Sequence, residues 1–446
     1  MKFKLLFYSI FLCGAFGANG QSLDSLSEVV FYHDSAFTQV KARYQIIHQD
    51  SSRIQGTFKS FHPNGQLASK GEFNDGKREG LFVDFYPDGN IMREIPFENG
   101  LKEGFVKVYN EQGTLIQEAK FAGDTLSDQV TSYYADGRIR NQTGLSGGKP
   151  EGKVTDYYDN GKPKKEVTYK DGKPNGLTIT FYPNGKPETE ATFVNGYVSG
   201  SYRTFYEEGG VETEYQHLKG KKSGVFKDYY QSGQLRRTGA YKNGRLEGEV
   251  LSYYEDGALW QKFNYNKNVL SGENLVYFPT GELQEKIVVS DKGQDRLSSE
   301  YDINGALMAE KHWYNEQPVD VWKFYYTQNG QLRESRPHDK GSIHGMVRLY
   351  YPNGNLEREA QYAHGNLTGI VKEYSPSGKL TVVANYSRGK KHGKYFTYHR
   401  NGIVEWEGQY GGDVRYGEWK YYNRRGSLKK VETYEKGQLV SEKGLD

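Results

Sequence analysis

The sequence has 446 residues, of which only 35% are hydrophobic, yet 15% are aromatic, with 38 Tyr and 22 Phe, and 54 are Gly. So few aliphatic residues exclude the thick cores that about three ordinary domains would need, and so many aromatics exclude a disordered chain. Lys and Arg total 59 against 56 Asp and Glu, a net charge of +3 that excludes nucleic acid as the default partner.

In chain order, Met1 to Gly20 reads as a secretory signal peptide. Lys2 and Lys4 give it a positive start, Leu5 to Phe16 an apolar run, and Ala18-Asn19-Gly20 a small-x-small cleavage site. This predicts an exported chain starting at Gln21, placed in the periplasm, on the cell surface or outside the cell. The apolar run is too short to span the ~30 Å of a bilayer core. Cys13, the single cysteine, lies inside the run, and Ile10-Phe11-Leu12 before it lacks the small residues of a lipid-anchor site. The mature chain therefore has no disulfide, thiolate metal ligand or cysteine nucleophile. Residues 21–55 read as an N-terminal cap with a degenerate repeat, residues 56–440 as a repeat array irregular at 287–320, and residues 441–446 as a tail.

The array has a period of 24 residues set by a turn glycine: Gly65, Gly89, Gly113, Gly137, Gly161, Gly185, Gly209, Gly233, Gly257, Gly281 and Gly305, then Gly330, Gly354, Gly378, Gly402 and Gly426 after one step of 25. Positions below are counted from this glycine. Self-similarity on this scale means one solenoid-like array of about sixteen units. Pro-Asn-Gly or a relative marks the first turn of each unit, as at Pro63-Asn64-Gly65. Asp-Gly or Asn-Gly marks a second turn 11 residues later, as at Asp75-Gly76 and Asn243-Gly244. Both are hairpin signals, because Gly accepts positive φ without steric cost. No stretch has the 3.6-residue apolar period of a helix. The predicted fold is all-β, an elongated single-layer antiparallel β-meander of about sixteen 24-residue hairpins.

Proline cannot donate the N–H that a two-residue loop needs, so the first turn is predicted to be a three-residue loop with position −4 facing position +2. Position −4 is aromatic, as in Phe61, Phe85 and Tyr326, and position +2 is often Leu. Counting by twos puts the aromatic at +8, such as Phe73 and Tyr241, on the same face as −4 and +2, and the apolar residue at −7, such as Phe82 and Val250, on the other. The same count predicts three-residue loops at the second turn unless a bulge restores parity. Glycines at −9, including Gly80, Gly224 and Gly369, are expected beside the aromatics of the neighbouring strand, permitting curvature.

The units Tyr241-Lys-Asn-Gly244-Arg-Leu-Glu-Gly248 and Tyr386-Ser-Arg-Gly389-Lys-Lys-His-Gly393, each leading to a Tyr-Tyr-Pro-Asn-Gly-like turn, resemble the MORN-repeat variant of bacterial proteins over residues 56–440. Some members of that family are antitoxin or immunity proteins. The resemblance implies a β-meander with a binding or scaffolding role and transfers no catalytic residues. The sequence departs from the pattern at Asp124 to Asp128 and at Ser290 to Asp320, where regularity of the sheet is in doubt.

No catalytic constellation stands out, and neither a cofactor nor a metal site is expected. The histidines lack paired zinc spacing, the glutamates at +5 recur as a solvated ladder, and Ser290 to Asp295 lacks the spacing of a calcium loop. The candidate partner-binding residues are the tyrosines at −3, namely Tyr134, Tyr158, Tyr182, Tyr206, Tyr230 and Tyr254, with Trp313 and Trp322 of the irregular stretch. Tyrosine combines apolar area with a hydroxyl, which suits protein interfaces and sugar stacking. The function this supports is a non-enzymatic, exported recognition or scaffold protein for a protein or cell-envelope partner. Toxin neutralisation and glycan or peripheral lipid binding are the alternatives, and the small net charge argues against a membrane surface.

Overall fold

A computed structural model describes residues 26–48, 50–290 and 292–445. The predicted signal peptide lies outside the described residues. Every regular element among them is a β-strand. The chain divides into two compact units, Met1–Lys221 and Lys222–Asp446. Within each, strands pair antiparallel with their neighbours in sequence, which makes each a single-layer meander of hairpins. The cap residues supply a further hairpin, Leu26–Tyr32 with Val40–Ile47, that continues the ladder onto the strand Ile54–Phe61.

The first turn follows the prediction. Phe61 faces Leu67, Tyr350 faces Leu356 and Tyr422 faces Leu428. The His62 N–H donates to the Gln66 carbonyl at 2.8 Å and the Gly65 N–H to the His62 carbonyl at 2.9 Å, closing a loop over Pro63, Asn64 and Gly65. In the unit with the longer step the additional residue sits in this loop, since Tyr326 bonds Gln331 and Tyr325 faces Leu332. Tyr325, rather than Tyr326, therefore takes the −4 place there.

The assignment of faces needs correction. Phe61 faces Leu67 but Ser60 faces Ser69, so Ala68 is an unpaired bulge residue. A one-residue bulge reverses the parity of everything beyond it. The +8 aromatic thus shares a face with −7, not with −4 and +2: the rings of Phe58 and Phe73 lie 5.7 Å apart, and those of Phe82 and Phe97 5.2 Å. The second turn is also not a three-residue loop. Tyr241 faces Leu246 and Lys242 faces Arg245, leaving Asn243 and Gly244 as a two-residue loop with φ of 53° and 83°. Positive φ at both residues is the type I′ hairpin geometry that matches strand twist.

A second bulge, around position −9, restores the parity. The pairing runs Phe73 to Arg78 and Glu72 to Glu79, then jumps to Lys70 opposite Val83. Gly80 lies in this bulge at φ 69°, and across the following ladder it faces Phe97, as Gly224 faces Tyr241 and Gly369 faces Tyr386. The expected glycine–aromatic pairing is therefore present. Asp128 and Asp320 occupy the same place with φ of 77° and 55°, so the Asp124 to Asp128 departure leaves the geometry intact. Among the described residues at this position Arg296 alone lacks a positive φ, and around it the pairing of Leu283–Val289 with Asp295–Tyr301 runs straight with no shift.

The buried stripe lies on the face of −7, +6 and +8. Phe82, Phe226, Val250, Val371 and Trp419 at −7 are buried, and Ala119, Ala191, Ala360 and Ala384 at +6 pack between them. Large rings at −7 require small residues at +6: a Cβ on Gly239 would come within 2.7 Å of Val250 and 2.8 Å of Phe226, and one on Gly408 would collide with the Trp419 indole. Basic side chains at −11 roof the stripe. Arg78 lies 5.2 Å and 5.0 Å from the Phe82 and Phe97 ring centres, and Lys391 lies 5.3 Å and 5.2 Å from those of Tyr395 and Tyr410.

Candidate functional site

The tyrosine ladder at −3 is half-buried, and it works inside the array. The hydroxyls of Tyr134, Tyr158, Tyr182, Tyr230 and Tyr254 donate to the carbonyls of Tyr157, Phe181, Phe205, Tyr253 and Tyr277 in the next unit, at 2.6–2.9 Å. Tyr206 occupies the same half-buried place. His62 and His399 make the equivalent bond through Nε2, to Phe85 and Tyr422. Where the residue is Asn110 or Asp302, its side-chain oxygen accepts N–H groups of its own loop and, among the described residues, the link to the next unit is lost; Asn423, in the last unit, closes its own loop in the same way. Asparagine at −1 adds a parallel link: Asn64, Asn160, Asn184 and Asn353 donate to carbonyls 23 residues on while their oxygens close their own turn. Asp88 and Asp136, having no N–H to donate, make only the local bond.

The opposite edge is joined in the same way. The second-turn glycine N–H donates to the carbonyl of the −11 residue of its own unit, as Gly100 does to Arg78 and Gly244 to Lys222. Side chains at −10 accept the neighbouring turn N–H: Glu79 from Asn99, Glu151 from Asp171 and His344 from His364. The glutamates at +5 also have structural partners. Glu94, Glu310, Glu359 and Glu407 accept the hydroxyls of Tyr109, Tyr325, Tyr374 and Tyr422. Burial, followed by the Glu94 hydrogen bond, pushes the Tyr109 phenol up to about 12; for Tyr422 the Glu407 bond leads and burial follows, with the same result.

Trp313 and Trp322 are brought together, with ring centres 4.9 Å apart, and Trp322 also lies 4.6 Å from His338. The Trp322 indole N–H donates to the His312 carbonyl at 2.9 Å. The Arg296 guanidinium carbon lies 4.1 Å from the Trp313 ring centre. On the other face, His312 sits between Asp295 at 2.5 Å and Asp320 at 2.6 Å, so one imidazole ties three consecutive strands. Burial opposes its charge, but the two carboxylates outweigh burial and hold its pKa above the usual value. His338 moves the opposite way, lowered by burial and then by Arg336.

Sequence reasoning missed a column at −8. Leu81, Phe105 and Leu177 in the first unit of the chain, and Val225, Leu297, Val321 and Ile370 in the second, are 47–59% exposed on the face opposite the buried stripe. Its signal was present as an apolar residue directly after the −9 glycine, in Gly80-Leu81, Gly104-Phe105, Gly176-Leu177, Gly224-Val225 and Gly369-Ile370.

The model of the MORN repeat variant matches eight segments: residues 54–75, 78–99, 150–171, 174–195, 222–243, 246–267, 343–364 and 367–387. The chain belongs to the MORN-repeat-variant family. Each matched MORN unit has a −9 glycine, and the segments between them include both departures from the pattern. No curated protein matches the chain. Among solved structures, the crystal structure of TcdB2-TccC3-TEV is 12% identical, with 92% of this chain and 29% of that one covered and a TM-score of 0.15. The Photorhabdus luminescens Tc holotoxin pore is also 12% identical, covering 91% and 27%, with a TM-score of 0.15. This chain thus spans under a third of theirs, and a likeness at these scores carries no argument about shape or partners.

Proposed function

We propose that this MORN-repeat chain is a non-enzymatic, exported recognition or scaffold protein whose −8 column receives a protein partner of the cell envelope. The observation that carries the reading is the column itself. At −8 about half of the units carry a polar residue, such as Lys153 or Glu249, and the others an apolar one; Leu81, Phe105, Leu177, Val225, Leu297, Val321 and Ile370 are about half exposed on the side away from the buried stripe and contribute little to packing their own sheet. The −3 tyrosines, by contrast, spend their hydroxyls on neighbouring backbone. Exposed apolar side chains set among polar and charged ones suit the mixed character of a protein interface. The export part of the proposal rests on residues 1–20.

The test is capture from the producing cell's envelope fraction by the full exported chain, beside a variant carrying Leu81→Asp, Phe105→Asp and Leu177→Asp. A protein enriched by the parent and lost with the variant supports the reading. Equal recovery by both, with the variant folded, removes it.

A further inference from the structure

Arg296 breaks two habits of the array at once. It occupies the position held elsewhere by a residue of positive φ, and the second turn before it is longer than the two-residue loop usual in the array, with the Ser290 N–H donating to the Asp295 carbonyl. Without the bulge, the arginine stands directly opposite Trp313, where other units set Gly against an aromatic. Its guanidinium lies against that indole and forms one wall of a recess of about 400 Å³, whose lining includes Val269, Leu270, Val289, Trp313 and Glu316. The recess is built from three successive second turns, and Glu316 takes a left-handed conformation, φ 62°, in the last of them.

Arg415 shows what a structural arginine looks like in this fold. It also stacks on a tryptophan, 4.4 Å from the Trp419 ring centre, but it is 3.5 Å from the Glu432 carboxylate and donates to the Tyr434 hydroxyl at 2.8 Å. Arg296 is exposed, and among the described residues no carboxylate pairs with its side chain and no hydrogen bond engages its guanidinium. A guanidinium held over an indole, with no protein acceptor on it, can turn its N–H edge to a planar, bidentate acceptor, and Val269, Leu270 and Val289 offer an apolar wall beside it.

We infer that this recess binds a carboxylate bearing an apolar side chain, with the carboxylate on Arg296 and the side chain against the Val269, Leu270 and Val289 wall. Two sources share that chemistry, a small free acid and the C-terminal residue of a peptide. The site is separate from the −8 column, and the two readings fail independently.

The experiment titrates the full chain by calorimetry with N-acetyl-leucine, N-acetyl-leucinamide, and a ten-residue peptide ending in leucine with a free or an amidated C-terminus. Saturable binding of the acids is expected, weakened about tenfold or more by amidation and by Arg296→Gln, as loss of a charge-assisted bidentate bond implies. Arg296→Lys should retain part of the affinity, and the far-ultraviolet dichroism of both variants confirms folding. A peptide that binds more tightly than N-acetyl-leucine identifies a peptide C-terminus as the source, and equal binding identifies the small acid. Amides that bind as well as acids, an Arg296→Gln chain with undiminished binding, or no saturable binding of any probe would overturn the inference.

Discussion

Two hairpins of the second unit show how the same repeat is solved in two ways. In Asn366–Tyr374 with Leu380–Ser387, Gly369 at φ 67° faces Tyr386, and Val371 faces Ala384, both almost fully buried. In Asp295–Tyr301 with Leu307–Tyr314, Arg296 faces Trp313, and Ser298 faces Lys311. Ser298 is only 3% exposed and donates to Glu285, while Lys311 reaches Glu300 at 2.5 Å. The first hairpin is held by apolar packing and the second by a polar stripe; both keep the bulge beside the first turn, and they differ in the pairing that precedes them, which shifts register before Gly369 and runs straight before Arg296. The ladder continues through both, so the backbone pattern outlasts the chemistry of the stripe. What the second gains is an array of charged groups around two tryptophans.

The contrast is broken most severely by moving the polar solution into the apolar hairpin. Ala384→Lys places a charge in a buried site with no carboxylate made for it, and should cost about 3 kcal/mol or more. Lys311→Ala removes a partly exposed pair and should cost at most about 1 kcal/mol. Hydrogen exchange of the flanking strand amides reads both locally, which suits an array whose units open separately. The prediction fails if the two substitutions cost the same.

Backbone strain gives an intermediate effect. Gly369→Ala forces a left-handed alanine and should lose about 1–2 kcal/mol of local protection. Arg296→Ala, on extended backbone, should lose about 0.5 kcal/mol or less. If Arg296→Ala were the worse of the two, the guanidinium would be a structural part.

The smallest effect concerns pH. The folded pKa of His312 is raised, so its contribution is fully present below the ordinary value of 6.5 and is lost as pH rises through the folded value. Asp295 and Asp320 are 50% and 73% exposed, which keeps the contribution under about 1 kcal/mol. An NMR titration should find His312 among the last histidines to deprotonate, with exchange around residues 295–320 accelerating above that point and exchange around 366–387 unaffected. A His312 that titrates below 6.5 would contradict the geometry.

Much of the fold was legible because the turns carry their own chemistry. Pro63-Asn64-Gly65 fixed a three-residue loop and with it the Phe61–Leu67 register. The faces beyond Ala68 were not legible, because a one-residue bulge reverses parity without leaving a marker residue in the sequence. The second turn failed for the complementary reason: Asn243-Gly244 signals a two-residue loop, and only the bulge around Gly248 reconciles it with the apolar pattern. Trp313 and Trp322 were found because an array exposes its own irregularities. The role of the −3 tyrosines stayed hidden because the acceptor of each hydroxyl is a backbone carbonyl, and a carbonyl has no sequence signature.

The central claim is that the repeated tyrosines hold the array together while the −8 column meets the partner. It is tested most directly by one capture experiment with three full-length chains: the parent, a Tyr134→Phe, Tyr158→Phe, Tyr182→Phe chain, and the Leu81→Asp, Phe105→Asp, Leu177→Asp chain. The account predicts that the phenylalanine chain recovers the same envelope protein as the parent with reduced thermal stability, and that the aspartate chain keeps its stability and loses the protein. Loss of capture by the phenylalanine chain with full capture by the aspartate chain would contradict it.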